Sequence, residues 1–94
     1  MLHVMAVIRI QPEHLATVSS AMIALATKSR AEPGCLRYEV FQRNGEPVIV
    51  TQEHWADAAA EAAHMAGPNV AAAFATVGTL LAATPDIHHY SQML

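Results

Sequence analysis

The chain is poor in almost everything that marks a charged-ligand or metal protein. A single cysteine, Cys35, stands among its 94 residues. It allows neither an internal disulfide nor a thiolate zinc cluster. Only 14% of residues are charged, and Lys and Arg number 5 against 8 acidic residues. That balance lacks the basic footprint nucleic acid requires and offers no cationic patch for a membrane surface. Aromatic side chains are scarce: one Trp, two Tyr and two Phe. No glycine-rich phosphate loop, dinucleotide fingerprint or nucleophile elbow occurs. The longest charge-free run, 65–85, is interrupted by Gly67-Pro68, Asn69 and Gly78. It is too broken for a membrane span, which needs about 20 apolar residues. The N-terminus does not read as a secretory signal, so the expected compartment is cytoplasmic.

What is abundant is apolar side chain, 53% of the residues. A chain this short buries only about 60–65% of its unfolded surface. The excess predicts an enclosed apolar cavity, a face covered by a second copy, or both. The length predicts one domain, 1–94.

The pattern along the chain reads β-α-β-β-α-α-β. Residues 2–10 are β-branched and aliphatic on both faces, as in a central strand. Gln11-Pro12-Glu13 opens a helix whose Leu15, Val18, Met22, Leu25 and Ser29 recur at three-four spacing. Glu32-Pro33-Gly34 stops it. A second strand is expected over 35–43, with Leu36, Tyr38 and Val40 on one face and Cys35, Arg37, Glu39 and Phe41 on the other. Asn44-Gly45 predicts a hairpin into a third strand, 47–55. Asp57 is an N-cap for a short helix to Met65. Val70, Phe74, Val77 and Leu81 then mark a helix running to Thr84-Pro85. Residues 87–93 read as a last strand. The order is that of the split β-α-β, ferredoxin-like fold: α+β, a four-stranded antiparallel sheet with helices on one face.

The polar chemistry gathers where the third strand meets the next helix. Glu53 and Trp55 are two apart on a strand and share a side. His54 alternates away. His64, two turns into the following helix, returns to that side if the helix packs there. A carboxylate and an imidazole on one pocket wall can move a proton, and an indole can stack a planar ligand. The plainer reading makes Trp55 a core plug and Glu53 a partner of Arg9 or Arg37. The six histidines do not fall at metal-ligand spacings, and no metal is expected. His3, His14, His88 and His89 read as surface or interface residues, and Cys35 as a small apolar residue.

Glu53-x-Trp55 closing the third strand, His64 nine residues beyond the Trp, and Glu32-Pro33-Gly34-Cys35 before the second strand resemble the antibiotic biosynthesis monooxygenase domain family. The likeness runs through Arg30 to Glu39 and covers nearly the whole chain. It implies a dimeric α+β barrel in which two ferredoxin-like sheets pack together through their open faces, each subunit keeping a pocket between sheet and helices. It also implies monooxygenation of a quinol-like or polyphenolic substrate by O₂, with no metal or prosthetic group. In that scheme His64 and Glu53 are catalytic partners, Trp55 is a pocket wall, and Phe41, Phe74 and Tyr90 are further lining. Some polyketide-oxygenating relatives carry an Asn where this chain has Thr51. Haem-degrading relatives carry an Asn, a Trp and a His where Ile8, His64 and Phe74 align, so haem degradation is not expected. Two other readings fit the same residues: a proton-transfer isomerase of a small metabolite, and a non-catalytic dimeric module that binds a planar apolar molecule.

Overall fold

A computed structural model describes all residues, 1–94. Four strands, β1 (Leu2–Arg9), β2 (Cys35–Gln42), β3 (Val48–Trp55) and β4 (Asp86–Tyr90), form one antiparallel sheet in the order β2-β3-β1-β4. Three helices join them: α1 (Leu15–Ser29), α2 (Ala58–Met65) and α3 (Pro68–Val77). This is the ferredoxin-like arrangement that the pattern predicts. The register sets Val4 opposite Glu53 and Ala6 opposite Thr51 on β1 and β3, and Tyr38 opposite Glu53 on β2 and β3. All five side chains therefore lie on the helix-covered face. They join Ile8, Ile49 and Trp55, with Val18, Met22 and Leu25 of α1 and Val70 and Val77 of α3 closing the core above them.

The opposite face carries His3, Met5, Val7, Phe41, Val50, His54 and Tyr90, and nothing in the chain covers it. Phe41 and Tyr90 are 46% and 47% exposed. No helix is long and apolar enough to cross a membrane.

Five features differ from the sequence expectation. The Pro12 segment first makes a single 3₁₀ turn, Pro12–His14, before α1 begins. The Asn44-Gly45 hairpin is wider than a two-residue loop. The Glu46 N–H donates to the Arg43 carbonyl, and only Gly45 has positive φ, +76°. That is the requirement of a type II turn, whereas a type I′ turn would need positive φ at Asn44 as well. Helix α3 ends at Val77, not near Thr84. The Gln11 side chain there captures the carbonyls of Thr79 and Leu81, and Ile10 bridges Leu81, so tertiary contact takes the segment out of the helix. Strand β4 is accordingly shorter, ending at Tyr90.

The fifth difference changes a face. An irregularity between Cys35 and Arg37 brings Cys35 opposite Trp55. A bulge reverses the alternation at its own position. Cys35 packs against the core, while Leu36 is 56% exposed.

Asp57 caps α2 as its sequence position predicts, its carboxylate accepting from the Ala60 N–H at 2.8 Å. Gly34 fixes how the chain enters β2. It has φ +81°, and a Cβ there would lie 2.5 Å from the Ala60 Cβ. Only glycine lets the Glu32-Pro33-Gly34 turn approach α2 this closely.

Candidate functional site

A cavity of about 30 Å³ lies between the sheet and the three helices. Its walls are mostly apolar, with Met22 and Leu25 from α1, Val70 and Phe74 from α3, and Ile87 from β4. Four polar side chains interrupt that lining: Thr51 and Glu53 on β3, Tyr38 on β2 and His64 on α2. Period-two alternation delivers the first two, and Asp57, by starting α2 where it does, delivers the last. His64, Glu53 and Thr51 are all buried.

Two hydrogen-bonded groups are built here. In the first, the Glu53 carboxylate accepts from Trp55 Nε1 at 3.0 Å and from the Thr51 hydroxyl at 2.6 Å, one donor on each oxygen. The Thr51 oxygen in turn accepts from the Ala6 N–H at 3.1 Å. Glu53 bridges to neither Arg9 nor Arg37; Arg37 pairs with Glu39 on the open face. An ionised buried carboxylate needs such donors, and these two occupy both of its oxygens. The Thr51 hydroxyl is thereby committed within the wall.

The second group joins distant segments. His64 Nδ1 lies 2.7 Å from Glu32 Oε1, and Asn69 Nδ2 donates to Glu32 Oε2 at 2.7 Å. A carboxylate only accepts, so the Nδ1 position carries the proton and Nε2 is the ring nitrogen left to accept one. The His64 ring is 4.6 Å from the Trp55 ring at 35°, and 5.5 Å from the Tyr38 ring. Burial pushes the Tyr38 phenol well above the usual tyrosine range, and the negative charge of Glu53 adds to the rise. Tyr38 therefore stays a neutral phenol at physiological pH and is no base.

The candidate residues thus divide. Glu53, Trp55 and His64 come together as β3 and α2 imply, and Phe74 lines the cavity with Glu53 and His64. Phe41 and Tyr90 do not. Both lie on the open face, bordering a shallow depression with Met5, Val7, Val50 and His88. Phe41 has the parity of Arg37 and Glu39 beyond the bulge, and Tyr90 that of His3, its partner on β1. His54 is also on the open face, its ring 4.1 Å from that of His3. No cluster of three or more His, Cys, Asp or Glu is placed to hold a metal. Sequence reasoning missed Glu32, Asn69 and Tyr38. Glu32 reads as a helix stop and as part of the family-like Glu32-Pro33-Gly34-Cys35 stretch, but not as a site residue; the cue to it was the adjoining Pro33-Gly34, whose constrained turn aims the carboxylate at α2.

Comparison with known proteins adds to this geometry. A family profile described as antibiotic biosynthesis monooxygenase matches residues 1–76. A crystal structure of an antibiotic biosynthesis monooxygenase is 27% identical, covers 100% of both chains and superposes with a TM-score of 0.93. PA3566 from Pseudomonas aeruginosa is 26% identical over 99% of this chain and 94% of its own, TM-score 0.90. Rv0793 from Mycobacterium tuberculosis shares the fold at 23% identity over 98% of this chain and 94% of its own, TM-score 0.90. No curated protein sequence matches the chain.

Proposed function

Because this chain belongs to the antibiotic biosynthesis monooxygenase family, we propose that it oxygenates a small planar quinol-like or polyphenolic substrate with O₂, and that His64 is the base. One observation carries the reading: a buried imidazole on the wall of an apolar cavity, with Nδ1 held by a carboxylate and Nε2 left to take a proton. His64 removes the phenolic proton, with Trp55 beside the ring that holds it. The electron-rich anion then reduces O₂. One oxygen atom stays on the ring carbon as a quinone carbonyl. The other leaves as water with the phenolic proton and the ring hydrogen that was displaced. The substrate supplies all the electrons, so the balance needs no further reductant. Glu53 lines the cavity and, by accepting from Thr51 and Trp55, holds the indole against the His64 ring behind the cavity wall.

The cavity must open for this. At about 30 Å³ it admits water-sized molecules, whereas a benzene ring needs about 150 Å³. Phe74 and Met65 border it, and Met65 is 42% exposed at the end of α2. Both are rotatable, and their displacement is the route by which a ring enters.

The uncovered sheet face supports a homodimer. Met5, Val7, Phe41, Val50 and Tyr90 form an apolar surface there that a second copy would bury, which makes Phe41 and Tyr90 interface residues in this proposal. Light scattering at micromolar concentration tests it: twice the monomer mass is expected, and the monomer mass refutes it.

The catalytic reading is tested by oxygen uptake of metal-stripped protein with a panel of hydroquinones and naphthols, with anaerobic runs in parallel. Uptake above the uncatalysed rate is expected, falling about 100-fold or more in His64→Gln, the usual contribution of a general base. Absence of uptake across the panel sinks the oxygenase. Turnover that persists without O₂ would instead establish proton-transfer isomerisation by the same base. Quenching of Trp55 fluorescence without turnover would establish a binding module.

A further inference from the structure

We propose that Glu32 is a positioning residue and proton relay: it carries the proton that His64 receives in the cavity out to solvent on the far side of α2. The inference rests on the reading of His64 as the base. Three observations lead to it. The His64 side chain is 2% exposed, so its ring has no direct route to bulk water. His64 lines two spaces at once, the inner cavity and an outer groove of about 230 Å³ between the Glu32-Pro33 turn and the α2–α3 junction. Glu32 lies in that groove, 18% exposed, and holds the His64 Nδ1–H at 2.7 Å.

The imidazole therefore has one nitrogen available to the substrate and the other on a carboxylate that water reaches. A proton accepted at Nε2 makes the imidazolium. The Nδ1 proton then passes to Glu32 Oε1, and the carboxylic acid releases it to water. Each step moves one proton, and the ring returns neutral in the opposite tautomer. As O₂ is reduced, Nε2 gives its proton to the oxygen that leaves as water, and Glu32, reprotonated from solvent, returns one to Nδ1, so the cycle closes with every proton accounted for. The route keeps the cavity closed while it discharges, which matters for a substrate anion exposed to O₂. Asn69, by donating to Glu32 Oε2 at 2.7 Å, keeps Oε1 turned to the imidazole. Pro33 and Gly34 hold the turn against α2. None of this uses Glu53, whose oxygens face Thr51 and Trp55.

A purely structural role predicts the opposite sign in one measurement. A carboxylate that only clamps the ring protects the Nδ1 proton, so removing it speeds exchange. A relay carries the proton out, so removing it slows exchange. The test is magnetisation transfer from water to the His64 ring proton in ¹⁵N-labelled full chain, on wild type, Glu32→Gln and Glu32→Ala. Glu32→Gln keeps the shape of the side chain, and Glu32→Ala leaves space in the groove for a small acid. Exchange is expected to slow at least tenfold in both variants, and added formate is expected to restore it in Glu32→Ala but not in Glu32→Gln. Exchange that is unchanged or faster in Glu32→Gln overturns the relay, as does failure of formate in a Glu32→Ala protein with a native spectrum. The readout needs no substrate. A slowed ring proton with no oxygen uptake leaves the relay standing and removes the oxygenase. Full oxygenation by Glu32→Gln with unchanged exchange does the reverse.

Discussion

Replacing Thr51 by Val is expected to be among the costliest isosteric changes in the sheet. The side-chain shape is kept, so no cavity opens, and the cost is purely polar. The Thr51 hydroxyl is one of two donors on a carboxylate that is 5% exposed. Loss of a hydrogen bond to a buried charged group costs about 1.5–3 kcal/mol. The same oxygen also accepts from the Ala6 N–H, a neutral contact of about 0.5–1.5 kcal/mol. The sum is about 2–4 kcal/mol. In a domain of this size 1 kcal/mol moves Tm by about 4–8 °C, so a fall of about 8–32 °C is expected at pH 7. Thr51→Ser restores the hydroxyl and gives up one methyl, about 1 kcal/mol.

Trp55→Phe removes the other donor while keeping an aromatic ring. The double variant leaves Glu53 with neither, and because both donors act on one charge the effects will not add; a coupling of at least about 0.5 kcal/mol is expected. The assay is thermal and urea unfolding at one fixed protein concentration, since a dimer makes Tm concentration-dependent. A Thr51→Val protein within about 0.5 kcal/mol of wild type would show that the Thr51–Glu53 contact contributes nothing net, and that Glu53 finds its solvation elsewhere.

Three other perturbations read separate parts of the fold. Gly34→Ala forces an L-residue to φ +81° and sets its Cβ 2.5 Å from that of Ala60. The backbone term of about 1–2 kcal/mol and overpacking of about 1–3 kcal/mol predict a loss of about 2–5 kcal/mol in urea unfolding, and a neutral result would mean the turn shifts freely. Ser29 is fully buried at the end of α1, and its hydroxyl has no partner. Ser29→Ala is therefore expected to be neutral or to raise stability by up to about 1 kcal/mol, whereas a clear loss by calorimetry would reveal a bond to that hydroxyl. Burial, and then the neighbouring His3 and Arg37, hold the His54 imidazole below the usual histidine range. The unfolded chain therefore binds more protons at His54 between the two values, and stability falls as pH drops through that window, below about 6.5. In Tm-against-pH curves His54→Gln should flatten this acid limb, and an unchanged difference from wild type between pH 7 and 5 refutes it.

The parts of the site that were legible are those that depend on local period. Alternation on β3 places Thr51, Glu53 and Trp55 on one side and His54 on the other, and the pairing with β1 keeps them there. Asp57 announces α2, and the helix period then brings His64 back over the sheet. What the sequence hid depends on tertiary contact. The bulge that moves Cys35 to the core side exists only once β2 is paired, so parity counting from Pro33 fails there. The end of α3 is set by the Gln11 side chain, 68 and 70 positions upstream of the carbonyls it captures. Phe41 and Tyr90 carry the right chemistry for a pocket, but strand parity puts them on the other face.

Glu32 is the instructive omission, because its sequence setting and its structural setting argue for different roles. A Glu-Pro-Gly run after an amphipathic helix is sufficiently explained as a stop signal. Yet a helix stop requires no carboxylate, and an exposed Glu would serve the turn as well as a half-buried one. Here the residue gives up solvent to hold an imidazole from α2 and an amide from α3, 32 and 37 positions away. Half-burying a charge is unfavourable unless donors compensate it. Both donors here come from the α2–α3 segment that walls the cavity. The arrangement therefore ties the turn, both helices and the cavity wall into one unit, with Glu32 itself reaching the outer groove. Gly34, by approaching Ala60 so closely, keeps this turn packed against α2 while Glu32 reaches His64.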